Sequence, residues 1–119
     1  MQNRKLIELS MAIRECGDLK GVKFAYAISK NLKNIAKELE AVQETIMKLQ
    51  KEHAQKDAKG EMIIKDGKIE MVNLTKFNEE YEELMKIEND VTLHKVRRED
   101  IPAEITAGQL SGIFDLIEE

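Results

Sequence analysis

Tryptophan is missing from this chain, and its aromatics amount to three Phe and two Tyr in 119 residues. So few large rings argue against a compact aromatic core and favour an elongated helical protein built on aliphatic side chains. A single cysteine, Cys16, leaves no partner for an internal disulfide and fits a reducing compartment. The single proline, Pro102, leaves the long stretch before it free of that helix breaker. No apolar run approaches the ~20 residues needed to cross a bilayer. The opening Met1-Gln2-Asn3-Arg4-Lys5 leads into an amphipathic segment, not into the apolar centre of a signal peptide. The expectation is one soluble, cytoplasmic domain with no membrane partner. A net charge of −4 argues against nucleic acid, whose backbone rewards a positive surface.

What is present is helical periodicity. Ile28, Leu32, Ile35, Leu39, Val42, Ile46 and Leu49 step four, three, four, three, and His53 takes the next place. That heptad stripe, free of Gly and Pro and filled with good helix formers, predicts one long helix over 24–55. Ahead of it, Leu6, Leu9, Ile13 and Cys16 predict an amphipathic helix within 1–17, with Gly17 at its end. After it, Met62-Ile63-Ile64-Lys65 and Lys68-Ile69-Glu70-Met71-Val72 flank Asp66-Gly67, which predicts a β-hairpin over 61–72. A two-residue turn pairs Ile64 with Ile69 and Met62 with Met71, and should bury that face. Asn73 is a good N-cap, with Thr75 a competing choice, for a return helix over 74–89 carrying Leu74, Phe77, Tyr81 and Leu84. Residues 91–97 look extended. Thr106 and Gln109 form a capping box, with Ile105 and Leu110 as its staple, for a last helix over 107–117. The fold class is mainly α: a long helix and a shorter antiparallel return helix joined by a β-hairpin tip, with short amphipathic helices at both termini.

The inventory for chemistry is thin. His53 and His94 fall in different elements, Cys16 in a third, and none has a ligand neighbour at helical spacing. The glycines form no phosphate-cradling loop. The reading is non-enzymatic, with no catalytic residue, no cofactor and no metal. His53 reads as a core or tip residue and Cys16 as packing. Glu79, Glu80, Glu82 and Glu83 offer carboxylates to a cation, but read first as a solvated face. Lys23, Lys30, Lys33 and Lys37 form a basic patch on the outer side of the long helix, without the aromatic platform that single strands use. Gly108 and Gly112 are spaced to permit a close helix approach.

Helix lengths set a further expectation. The return helix reaches only the upper part of the stripe, so Ile28, Leu32, Ile35 and Leu39 need another cover. At ~1.5–3 kcal/mol per buried Leu or Ile, leaving them wet is too costly. The terminal helices and a second subunit are both available, and an oligomer is favoured over a monomer.

The run Val22-Lys23-Phe24-Ala25-Tyr26-Ala27-Ile28-Ser29-Lys30-Asn31-Leu32, then Tyr81-Glu82-Glu83-Leu84, then Asp100-Ile101-Pro102 with Ile105 and Leu110, resembles a family of small uncharacterised tailed-phage and prophage proteins. That resemblance implies a long helical hairpin with a short C-terminal unit, a bacterial host cell, and a place either in the virion or in the infected cell. It implies no catalytic residue. Two helices joined through β structure are also similar to a prefoldin subunit, although the helix lengths are unequal. Three functions follow as expectations. The first is a phage or prophage assembly or accessory factor that self-associates through the heptad seam. The second is a small phage-encoded inhibitor or modulator that binds a host protein, and the third is a prefoldin-like holdase.

Overall fold

Leu6, Leu9, Ile13 and Cys16 recur at three and four residues along the first helix, and all four are at most 2% exposed. In the computed structural model, which describes residues 1–118, that helix is α1 (Asn3–Glu15). It is followed by α2 (Val22–His53), strands β1 (Ile64–Lys65) and β2 (Lys68–Ile69), α3 (Leu74–Lys86) and α4 (Ala107–Gly112), with 3-10 turns at Arg98–Asp100 and Phe114–Leu116. The fold is mainly helical with a small antiparallel hairpin, as the periodicities require. Two compact units divide the chain: Met1–Leu39 with Glu88 onward, and Glu40–Ile87.

In the first unit, α1, the opening half of α2 and the C-terminal segment share a core. Phe24, Ile35, Ile113 and Leu116 join the α1 residues there at 0–1% exposure. The segment after α3 is extended, and isolated backbone bridges near its two ends together with an α2 side chain hold it. Asn31, completely buried in α2, donates from Nδ2 to the His94 carbonyl (2.8 Å) and accepts the His94 N–H on Oδ1 (2.6 Å). Residues Gln2 and Glu88 form an antiparallel bridge, and Asn89 N–H donates to the Met1 carbonyl (2.8 Å). Gln109 both completes the Thr106 capping box and donates from Nε2 to the carbonyl of Glu15 (3.0 Å), satisfying an orphan group at the end of α1. The two helices approach closely at Gly112, where a Cβ would lie 2.9 Å from Ala12 Cβ.

The last helix is shorter than the 107–117 expected. It stops at Gly112 because the chain beyond it is committed to Val96: Val96 N–H donates to the Leu116 carbonyl and Glu118 N–H to the Val96 carbonyl, both at 2.7 Å. A continuing helix directs its backbone groups along its own axis and leaves Val96 unpaired.

In the second unit, α2 ends at His53 and the chain straightens at once. Ala54 bridges Met71 and Lys56 bridges Met62, so Met62 and Met71 do not bridge each other as expected. Three extended segments close in a ring: Gln55 N–H donates to the Glu70 carbonyl, Glu70 N–H to Ile63, and Ile63 N–H to Gln55, at 2.8–2.9 Å. This explains why the regular hairpin is confined to Ile64–Lys65 and Lys68–Ile69 instead of running over 61–72. The turn chemistry holds. Asp66 and Gly67 both take positive φ (52° and 76°), the type I′ conformation that matches strand twist. The Ile64/Ile69 pairing is present, but Ile64 is 63% exposed, so the face they share is not a buried one. Asn73 caps α3 by accepting the Lys76 N–H (3.1 Å), and α3 buries Leu84 and Met85. The helix ends at Lys86, three residues short of the expected Asn89.

Candidate functional site

The seam comes first, because the self-association reading rests on it. Its lower members are covered inside the chain itself: Ile28 is 7%, Ile35 0% and Leu39 6% exposed, with Leu32 half-buried. In the upper part Val42 is 4% exposed, while Ile46 and Leu49 are half-buried. The stripe is therefore largely a core, not an exposed oligomer seam. Helix lengths alone leave out the segment at 91–97, which docks on α2 through Asn31.

The basic patch does not converge. Lys30 Nζ sits 5.7 Å over the Tyr26 ring, which meets the His94 ring edge-on at 5.6 Å. Lys33 and Lys37 are exposed on the helix surface. Lys23 lines a cleft of about 530 Å³ in the first unit with Tyr26, His94, Lys95 and Arg97, but Asp100 and Glu118 line it too. The mixture of signs gives it no strong preference for an anion.

A second cleft of about 380 Å³ in the same unit is chemically simpler. Its lining is Ile101, Leu110, Phe114, Ile117 and Arg98. The local sequence builds it directly. The 3-10 turn at Arg98–Asp100 presents Arg98 and delivers Ile101 ahead of Pro102. The capped α4 presents Leu110, and the turn at Phe114–Leu116 sends Leu116 into the core while Phe114 points outward at 63% exposure. Arg98, the only charged lining residue, makes no ion pair among the described residues, whereas its neighbour Arg97 faces Glu99 at 4.0 Å. An apolar recess edged by one guanidinium, with Glu99 and Glu118 in the adjoining cleft, suits recognition better than bond chemistry.

The second unit brings together side chains that the sequence left scattered. His53 Nε2 lies 2.8 Å from Glu80 Oε2, and the ring stands edge-on to Phe77 (6.1 Å, 75°), which stacks on Tyr81. Glu52 completes a group whose three potential ligand atoms all lie within 4.8 Å of one another. His53 follows the heptad stripe inward, at 8% exposure. The acidic run offers cation ligands in sequence, but its spacing does not show that Glu80 meets His53. The available signal was phase: Glu80 falls three residues after Phe77, on the inner side of α3.

Cys16 is 1% exposed, and its thiol is pushed above the ordinary range, first by burial and then by the charges of Asp18 and Glu15. It is a packed, protonated side chain, not an activated nucleophile. Among the described residues no helix is long and apolar enough to cross a membrane. No protein-family model matches the chain, and neither a curated protein nor a solved structure does.

Proposed function

We propose that this chain is a non-enzymatic phage or prophage protein that acts by docking on a protein of its bacterial host, as a small inhibitor or modulator. The observation that carries the reading is the Phe114 cleft. Phe114 stands open to solvent among half-buried Ile101, Leu110 and Ile117, beside Arg98, which makes no ion pair among the described residues, while the seam that self-association needs is largely buried within one chain. The occupant that fits is a segment of the partner bearing one large apolar side chain and an adjacent carboxylate, the first for the recess and the second for Arg98. The phage setting rests on the resemblance carried by Val22 to Leu32 and by the Asp100-Ile101-Pro102 segment, whose Ile101 lines the cleft.

The test combines capture with mass. Tagged protein is passed through host lysate beside Phe114→Asp, Arg98→Glu and the control Met47→Asp, whose site is an exposed residue of α2. A stoichiometric host protein that the parent and control retain, and that both cleft variants lose, supports the reading. Equal recovery by all four, or no stoichiometric protein, overturns it. Light scattering on the same samples tells whether a second copy takes the place of the host protein. A dimer that Phe114→Asp dissolves would make the occupant this chain itself.

A further inference from the structure

We propose that Glu52, His53 and Glu80 form a binding site for a first-row divalent cation of the zinc type. Two helices supply the donors: the last two residues of α2 and the middle of α3. The three ligand atoms fall within 4.8 Å of one another, and His53 Nε2 and Glu80 Oε2 are already 2.8 Å apart. Ligand bonds of ~2.0–2.1 Å place neighbouring donors roughly 2.9 Å apart around an octahedral ion and about 3.3 Å apart around a tetrahedral one. The cation would sit between His53 Nε2 and Glu80 Oε2, with a Glu52 carboxylate oxygen within 4.8 Å of both.

Three observations make this more than a hydrogen-bonded pair. The Glu52 side chain makes no hydrogen bond or ion pair among the described residues, although it stands beside the pair. The site lies at the C-terminus of a 32-residue helix, where the backbone field favours positive charge. The imidazole is held in advance, edge-on to Phe77, and the His53 carbonyl accepts the Val72 N–H (2.8 Å). His53 is 8% exposed, Glu80 half-buried and Glu52 exposed, so the ion is walled on one side and open to water on the other. One imidazole with two carboxylates suits zinc, nickel or cobalt better than calcium or magnesium, which take all-oxygen shells. Three protein donors leave a position for water.

The experiment is calorimetric titration of the full chain with ZnCl2, with CaCl2 as the contrasting ion, followed by CoCl2 absorption spectra. Expected are one zinc ion per chain, no calcium binding at the same concentrations, and visible cobalt bands indicating a nitrogen–oxygen shell. Glu52→Gln alters an exposed residue and leaves the fold intact by circular dichroism. It should weaken zinc at least as much as the ~10–100-fold that outer-shell changes cost elsewhere. Glu80→Gln should abolish binding, and the control His94→Gln, whose side chain is exposed in the other unit, should leave it unchanged. Zinc binding that survives in Glu52→Gln and Glu80→Gln, that disappears in His94→Gln, or that is absent from the parent overturns the proposal. Histidine NMR separates the two imidazoles directly, since only the His53 ring signals should move with zinc.

Discussion

Asn31 occupies both backbone hydrogen-bonding groups of His94, at 2.8 Å to its carbonyl and 2.6 Å from its N–H. A single side chain thus acts as a strand partner for the middle of the segment at 91–97, two residues before Val96 pairs its backbone with Leu116 and Glu118. Asn31 is completely buried, so its amide is costly unless both bonds are made. Asn31→Ala should therefore destabilise the protein by roughly 1–3 kcal/mol, the cost of leaving part-buried backbone groups of His94 without this partner. Asn31→Asp keeps the acceptor but replaces the donor with a second acceptor facing the His94 carbonyl, and should do no better. Urea denaturation reads this as a lower midpoint at unchanged slope. A midpoint for Asn31→Ala equal to the parent's would mean that water serves His94 as well as Asn31 does.

Gly112 is the second point where one residue decides a packing distance. Its missing Cβ leaves room for Ala12, and an alanine there would bring the two Cβ atoms to 2.9 Å. Gly112→Ala gains helix propensity yet forces α4 away from α1, stretching the bond from Gln109 to the Glu15 carbonyl. The expected net effect is a loss of about 1–3 kcal/mol, typical of overpacking. The pair Gly112→Ala with Ala12→Gly should recover part of that loss. A double-mutant cycle with no coupling would show that the two residues do not share one space.

The elements were legible where a local period or a cap decides them. The step of four and three from Ile28 to Leu49, the Asn73 cap, the Thr106–Gln109 box and the Asp66-Gly67 turn are each settled by neighbours in sequence, and each is present. What the sequence could not reveal was which surface covers the stripe. That depends on hydrogen bonds between residues 63 positions apart, made by an Asn whose type signals nothing in mid-helix. The ring of Gln55, Ile63 and Glu70 escaped for the same reason, since its three members are paired through backbone alone. His53 and Glu80 were both visible, but their meeting is a matter of helix phase across 27 residues.

Cys16 links the core of the first unit to pH. Burial, with Asp18 and Glu15 nearby, raises its thiol above the ordinary range in the folded chain, while the unfolded chain titrates normally. A raised folded-state value means the folded protein holds this proton more tightly. The associated stability is complete below the unfolded thiol range and falls as pH rises through it toward the folded value. Unfolding midpoints followed from neutral to alkaline pH should decline in the parent. Cys16→Ala, less stable throughout because it opens space at a site only 1% exposed, should show a shallower alkaline decline. The same burial makes the thiol slow. A disulfide reagent at neutral pH should modify native Cys16 only at the rate at which α1 opens, and urea should accelerate it sharply. Immediate modification of the native protein would mean that α1 is not packed over Cys16 in solution. The first-unit core would then be open enough to return the seam at Ile28, Ile35 and Leu39 to consideration as a self-interface.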